Sequence, residues 1–380
     1  MKIYPIMFAV VALCLNAPAQ DQDERQVRPH FHVKPDASTS PVGYVPAQIR
    51  HAYGLDLLTN GGAGQVIAIV DAYGSPTAQN DLNVFSDKFG LPRTTVQIVY
   101  GGSRVTRANA GWALETSLDL EWAHALAPKA KIILAVASSA SIANLVAAID
   151  AATKAGATIV SMSWGGGEFS SEASYESHFQ KTGVTFLTSS GDNGSGASWP
   201  STSPSVVSVG GTTLHLDAAG NLTSPEVSWS GSGGGFSGYF NRPAFQNGWQ
   251  TNAKRAFPDV SLVADPNTGV TVYDTTAYSG QTGWFQVGGT SASCPMWGAI
   301  VSLANEKRAA GGKTTLTGSD TALYAIAGAT GNNGASLYGY FFFDVTAGNN
   351  GGFSAVPKFD EVTGLGTPVA PNLVPGLAAY

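Results

Sequence analysis

The octet Gly288-Gly289-Thr290-Ser291-Ala292-Ser293-Cys294-Pro295 stands between a strand-like run (residues 284–287) and a helix-like run (residues 295–307). The glycines permit a tight turn, and a serine at a helix N-terminus meets free N–H groups that favour developing negative charge. Ser291 is therefore a candidate nucleophile, the alternative being a hydroxyl that only caps the helix. A nucleophilic serine needs a base. Asp71 follows a strand run, as the acid of a histidine-based triad would, but no His-Gly-Thr-His context follows it. His30, His32 and His51 precede the first core strand, and His178 and His215 stand in no motif. His124 falls near the end of a helix that stops at Pro128. The histidine triad fails.

That helix offers another base. Glu115 and Asp119 lie four residues apart and share one helix face. In a cleft, two carboxyls so placed share a proton, one titrating higher and the other lower, and the pair accepts a serine proton at acidic pH. A solvated acidic face has the same spacing; Leu118, Trp122 and Leu126 beside the pair point to burial. Asp192, in Ser189-Ser190-Gly191-Asp192-Asn193-Gly194, follows a strand run at the end where open α/β sheets place reactive groups. Protonated, it donates a hydrogen bond to an oxyanion; a plain Asp-Asn-Gly turn is the alternative.

The elements that must position these groups alternate. Residues 65–70, 131–136, 158–163 and 184–188 are short apolar runs with turn signals around them, and residues 142–155 form a helical stretch closed by Gly156. Strands alternating with helices predict an α/β fold, subtilisin-like once the family below is considered, with a mostly parallel sheet flanked by helices. Glycine thickens after about residue 200, which predicts long loops, and no composition break marks a second domain within residues 44–380.

With 43% hydrophobic and 12% charged residues, the chain can bury a large core under a polar, sparsely charged surface. A net charge of −6 without basic clusters excludes nucleic acid as a partner. Lys2, the apolar run 6–15 and Ala17-Pro18-Ala19 read as a signal peptide over residues 1–19, hence a secreted or periplasmic protein without a membrane association after cleavage. Residues 20–43 read as a short flexible leader. Removing the signal leaves Cys294 alone, so no intrachain disulfide forms.

From about Tyr44 to Tyr380 the chain resembles the sedolisin (serine-carboxyl peptidase) family. The resemblance rests on Tyr44-Val45-Pro46, the Glu115/Asp119 helix ending in Ala127-Pro128, Ser161-Met162-Ser163-Trp164-Gly165, Ser190-Gly191-Asp192 and Ser208-Val209-Gly210-Gly211-Thr212. It continues through Gly234-Gly235-Phe236-Ser237, Pro258-Asp259-Val260-Ser261 and Gly289-Thr290-Ser291. It implies a Ser291 nucleophile, Glu115 as general base, Asp119 as its proton-sharing partner and Asp192 as oxyanion acid. Ser163, Trp164 and Gly165 would then pair with a peptide or protein substrate as an added strand. The resemblance also implies one Ca²⁺ ion near Asp344, Val345, Lys358 and Asp360. Here the sequence departs from the family, with Val356-Pro357-Lys358-Phe359-Asp360 in place of Gly-x-Gly-x-Asp. A second departure is the short stretch before Tyr44, where the family carries a long folded prosegment. The competing function is a catalytically silent secreted binding protein on the same scaffold. Nothing in the sequence indicates an oligomer.

Overall fold

Alternation along the strand runs determines which side chains meet which core. The computed structural model describes residues 25–34, 36–105 and 108–380; the signal-peptide reading of residues 1–19 falls outside them. Two short strands open the described chain, β1 (Arg28–Pro29) and β2 (His32–Val33). The central sheet uses β3 (Val66–Ala72), β4 (Val96–Tyr100), β5 (Lys131–Ala137) and β6 (Ile159–Met162). After the two-residue β7 (Trp164–Gly165) it continues with β8 (Thr185–Ser189), β9 (Val207–Thr213), β10 (Val227–Ser228) and β11 (Val260–Val263). The order across the sheet is β10-β9-β8-β6-β3-β5-β4, with β11 also paired to β9. Every pairing is parallel except that of β10. Ile67 and Ile69 of β3 point into one apolar core while Ala68 and Val70 point into the other, one on each face. This is the mostly parallel, helix-flanked α/β sheet that the alternating runs predict.

Three helices carry the chemistry or frame it. Helix α1 (Ala110–Leu126) starts where the Asn109 side chain accepts the N–H of Trp112, and ends before Pro128. Residues 112–126 are all buried, so its three carboxyls, Glu115, Asp119 and Glu121, sit inside the molecule, not on a solvated face. Helix α2 (Ile142–Lys154) covers the sheet on one side. A long antiparallel hairpin, β12 (Val270–Tyr278) and β13 (Gln281–Gly288), feeds straight into α3 (Thr290–Ala310), which packs along α1. Helix α3 begins five residues before the predicted run and carries Pro295 in its interior. Proline has no N–H to give the carbonyl four residues back, that of Ser291; the Ser163 hydroxyl faces this carbonyl at 3.4 Å.

The stretch before Tyr44 differs from the expected flexible leader. β1 pairs antiparallel with β7, and β2 pairs antiparallel with the end of β13. Two short ladders hold residues that have no helical or strand periodicity of their own.

Candidate active site

Ser291 lies buried at the first turn of α3. The turn before it depends on Gly289, at φ 113°. A Cβ there would come within 2.2 Å of the His30 carbonyl oxygen and 2.5 Å of Asp192 Oδ2, so only glycine lets these two atoms converge beside the serine.

Glu115 and Asp119, both fully buried, reach the serine from α1. The Ser291 hydroxyl and Asp119 lie close enough to Glu115 to act on its titration, yet neither meets it in good hydrogen-bond geometry. Both Glu115 oxygens are left without a partner in the interior. Asp119 accepts the Ser163 hydroxyl at 2.9 Å. Burial pushes both carboxyls well above the usual range, and for Glu115 the charge of Asp119 adds to that. A third buried carboxyl joins them: Asp71, at the end of β3, accepts the Thr116 hydroxyl at 2.9 Å and is itself raised by burial. Its charge raises Glu115 and Asp119 further. The histidine argument set Asp71 aside; its place after a strand was the signal that it belongs here.

Asp192, also buried from solvent, follows β8. Its Oδ1 accepts both the N–H (2.8 Å) and the hydroxyl (2.9 Å) of Thr290, while Oδ2 accepts no hydrogen bond and has His32 Nε2 3.5 Å away. Burial outweighs the two Thr290 hydrogen bonds and pushes its pKa up to about 7.

The leader runs through the middle of this group. Ser291 N–H donates to the His30 carbonyl at 3.0 Å, and His30 N–H points at Ser291 Oγ (3.1 Å) and the Ser163 carbonyl (3.3 Å). The Ser291 hydroxyl donates to the Ser163 carbonyl at 3.1 Å. Arg28 and Pro29 lie in register with Gly165 and Trp164, and on the opposite edge Val27 N–H reaches the Ala140 carbonyl. His30 and His32, set aside because they precede the core, thus touch the site. His30 meets Ser291 through its backbone, in the stretch between β1 and β2, whereas His32 reaches Asp192 with its ring, Nε2 lying 3.5 Å from Oδ2. His124 is structural, its Nε2 2.7 Å from the Pro92 carbonyl.

The residues expected at a calcium site form a hard-oxygen cluster near the C-terminus. Asp344 accepts the Lys358 N–H on both oxygens (2.9 and 3.0 Å), and Asp360 Oδ1 accepts the N–H groups of Val362 and Thr363. The Tyr338 hydroxyl, which feels both carboxylates, lies 3.1 Å from the Lys358 carbonyl. Lys358 takes φ 72°, the backbone its missing glycine would adopt freely. No ion pair from a lysine or arginine to Asp344 or Asp360 occurs among the described residues, and both carboxylates lie near enough to act on the Tyr338 hydroxyl. Two carboxylates beside backbone carbonyls fit a calcium ion.

Comparison with known proteins places this arrangement. Residues 105–350 match the Subtilase family (Peptidase_S8). The chain is 30% identical to kumamolisin of Bacillus sp. (strain MN-32), over 99% of its own length and 71% of kumamolisin. It is 29% identical to tripeptidyl-peptidase 1 of Dictyostelium discoideum, over 83% of this chain and 55% of that protein. A Pseudomonas sedolisin (serine-carboxyl proteinase), solved with two molecules of pseudo-iodotyrostatin, superposes with a TM-score of 0.76 at 25% identity. That match covers 90% of this chain and 99% of the sedolisin. The chain belongs to the sedolisin family of serine-carboxyl peptidases, on a subtilisin-like fold.

Proposed function

We propose that the chain cleaves peptide or protein substrates at acidic pH through an acyl-enzyme on Ser291. The observation that carries this reading is a peptide carbonyl resting on the Ser291 N–H beside Asp192 Oδ2, with Glu115 near enough to the serine hydroxyl to take its proton. In the reaction the hydroxyl turns from the Ser163 carbonyl toward Glu115 and gives up its proton as Oγ attacks. Asp119 and Asp71, both buried and both acting on Glu115, keep its affinity for that proton high. The carbonyl oxygen becomes an oxyanion held by the Ser291 N–H and by protonated Asp192. Glu115 then passes the proton to the leaving amine, and water repeats the sequence on the ester. Residues 163–165 hold the substrate strand, as they hold Arg28 and Pro29.

Asp344, Asp360 and the carbonyls of Val345 and Lys358 would hold a calcium ion, which when bound neutralises the two carboxylates and fixes the C-terminal loops. Residues 1–19 as a signal peptide support secretion into an extracellular or periplasmic space. Among the described residues no helix is long and apolar enough to cross a membrane. Titration with a peptide aldehyde separates this reading from that of a silent binding protein. An assembled site forms a stoichiometric hemiacetal that Ser291→Ala cannot form; wild-type protein that takes up no aldehyde refutes it.

A further inference from the structure

The hairpin that leads to Ser291 has one edge that no strand covers. β12 gives its first edge to β13, with Val270 opposite Val287 and Tyr273 opposite Trp284, and the chain runs on from β13 through Gly289 to Ser291. Along its second edge, among the described residues, β12 meets only the single bridge from Tyr44 to Val270. The polar backbone groups there still need partners. Thr271 N–H goes to the Tyr44 carbonyl at 2.9 Å; the rest are met by side chains. The Thr271 carbonyl accepts the indole N–H of Trp122 at 2.9 Å, and Tyr273 N–H donates to Glu121 Oε2 at 3.0 Å. Thr275 N–H donates at 3.1 Å to Oδ2 of Asp81, on the helix Ala78–Phe89, and the Thr275 hydroxyl donates to Oδ1 at 2.7 Å. Residues 271, 273 and 275 present these groups in turn, as the period of a strand requires.

Glu121 and Trp122 are fully buried and belong to α1, two and three residues beyond Asp119. One helix thus brings Glu115 and Asp119 to the serine and then grips the strand whose partner leads to that serine. Burial holds the Glu121 carboxyl well above the usual range; the Tyr273 N–H opposes this, and the charges of Asp81 and Asp274 add to it. In acid the group is neutral, and it holds Tyr273 as an uncharged oxygen acceptor. The Ser291 hydroxyl stands near Glu115 without good hydrogen-bond geometry, so a small displacement of either element decides whether the proton can pass.

We propose that Glu121 is a positioning residue for the reaction: together with Trp122 it fixes the free edge of β12 on α1 and so sets Ser291 opposite Glu115. The proposal rests on the peptidase reading above. Packing of α3 directly along α1 is the competing way to hold the serine. Apolar packing is non-directional, however, whereas the edge bonds fix where along α1 the hairpin sits, because each needs its own distance and angle.

The test uses the full chain, with kcat and KM measured on a peptide substrate at acidic pH and kcat counted per folded molecule, the folded fraction being read by near-UV circular dichroism. Glu121→Leu keeps the bulk and removes the acceptor; its kcat should fall roughly 10- to 100-fold with KM changed less than about twofold. Glu121→Gln keeps a carbonyl oxygen for the Tyr273 N–H and should bring kcat back to within about threefold of the wild type. Trp122→Phe keeps an aromatic ring against Phe85 and loses only the N–H to Thr271, so it should lower kcat in the same direction, and it decides the matter if Glu121→Leu does not fold. A wild-type rate per folded molecule in Glu121→Leu, or in Trp122→Phe where that variant decides, overturns the proposal and leaves the peptidase reading standing. So does a Gln variant as slow as the Leu one, because the acceptor would then not be what matters. Wild-type protein that cuts no peptide overturns the peptidase reading, and this proposal with it.

Discussion

Asp192 divides its two oxygens between two tasks. Oδ1 is committed to the Thr290 N–H and hydroxyl, so Oδ2 is the atom free to carry a proton toward a carbonyl. With its pKa pushed up to about 7 by burial, the group is protonated below that pH and a carboxylate above it. The proposed oxyanion donor is therefore present in acid and lost as pH rises through about 7, where it turns into a repelling charge. Activity should fall on the order of 100- to 1000-fold across that range. Asp192→Asn puts an N–H where the proton was, so its kcat/KM should lose the alkaline fall; an Asn variant with the wild-type profile defeats the assignment. Glu115→Gln should lower kcat by roughly 10²- to 10⁴-fold with KM little changed, measured on the same peptide. Ser291, Glu115, Asp119 and Asp192 were legible because each stands in a local signature: a glycine turn before a helix, a four-residue spacing, a strand end. Asp71 showed only its place at a strand end; that it presses charge from β3 on Glu115 and Asp119 of α1 is a relation no local spacing records.

The leader is the element whose behaviour is most sensitive to conditions. Burial drives the pKa of His30 down to about 3, with Arg28 and His32 lowering it further and the Ser189 hydrogen bond opposing them. His32 in turn faces Asp192, 3.5 Å away. A depressed base makes seating favourable while the ring is neutral. As pH falls below the ordinary histidine value near 6.5, the released leader takes up a proton that the seated one refuses down to about 3. Seating thus weakens by up to about 1.4 kcal/mol per pH unit in that window. In Ser291→Ala, amide protection of residues 27–33 should be high at neutral pH and lost on acidification, and His30→Leu should keep it. Protection that does not change with pH in the parent chain contradicts this. The sequence could not show this element, because its strands are two residues long and Pro29 pairs with Trp164, far along the chain. The sheet strands could be read in advance because each is an unbroken apolar run. At the opposite end, chelation should lower the melting temperature and Asp360→Ala should remove that sensitivity; a wild-type melting curve indifferent to chelator rules the ion out.

Over the whole molecule the interior holds more acid than base. Asp71, Glu115, Asp119, Glu121, Glu226, Asp274 and Asp320 are all buried, and burial is the leading cause that raises each of them. Against them, among the described residues, stands one fully buried arginine, Arg255, already committed to Asp259 by two hydrogen bonds and shared with Tyr324 through that carboxylate. The sign follows. A carboxyl whose folded pKa lies above its unfolded value contributes stability that is complete below the unfolded value, near 4, and is lost as pH rises through the folded one. Exposed Asp87 and Asp217 are lowered instead, by Arg93 and by Asn221, and oppose this trend as pH falls; solvent screening keeps such contributions small. The fold should therefore be most stable in mildly acidic solution and lose stability toward neutrality by as much as about 1.4 kcal/mol per pH unit for each group still titrating. Asp274 isolates one such contribution away from Ser291. Raised to about 7 by burial, it accepts the Thr276 N–H on Oδ1 and leaves Oδ2 unpartnered. In a Ser291→Ala background, which removes self-digestion, the melting temperature should decline from about pH 5 to pH 8, and Asp274→Asn should make that decline shallower by one proton's worth. A melting temperature that holds or climbs over the same range would mean that the buried carboxyls ionise without cost, and the acid adaptation argued from them would fail.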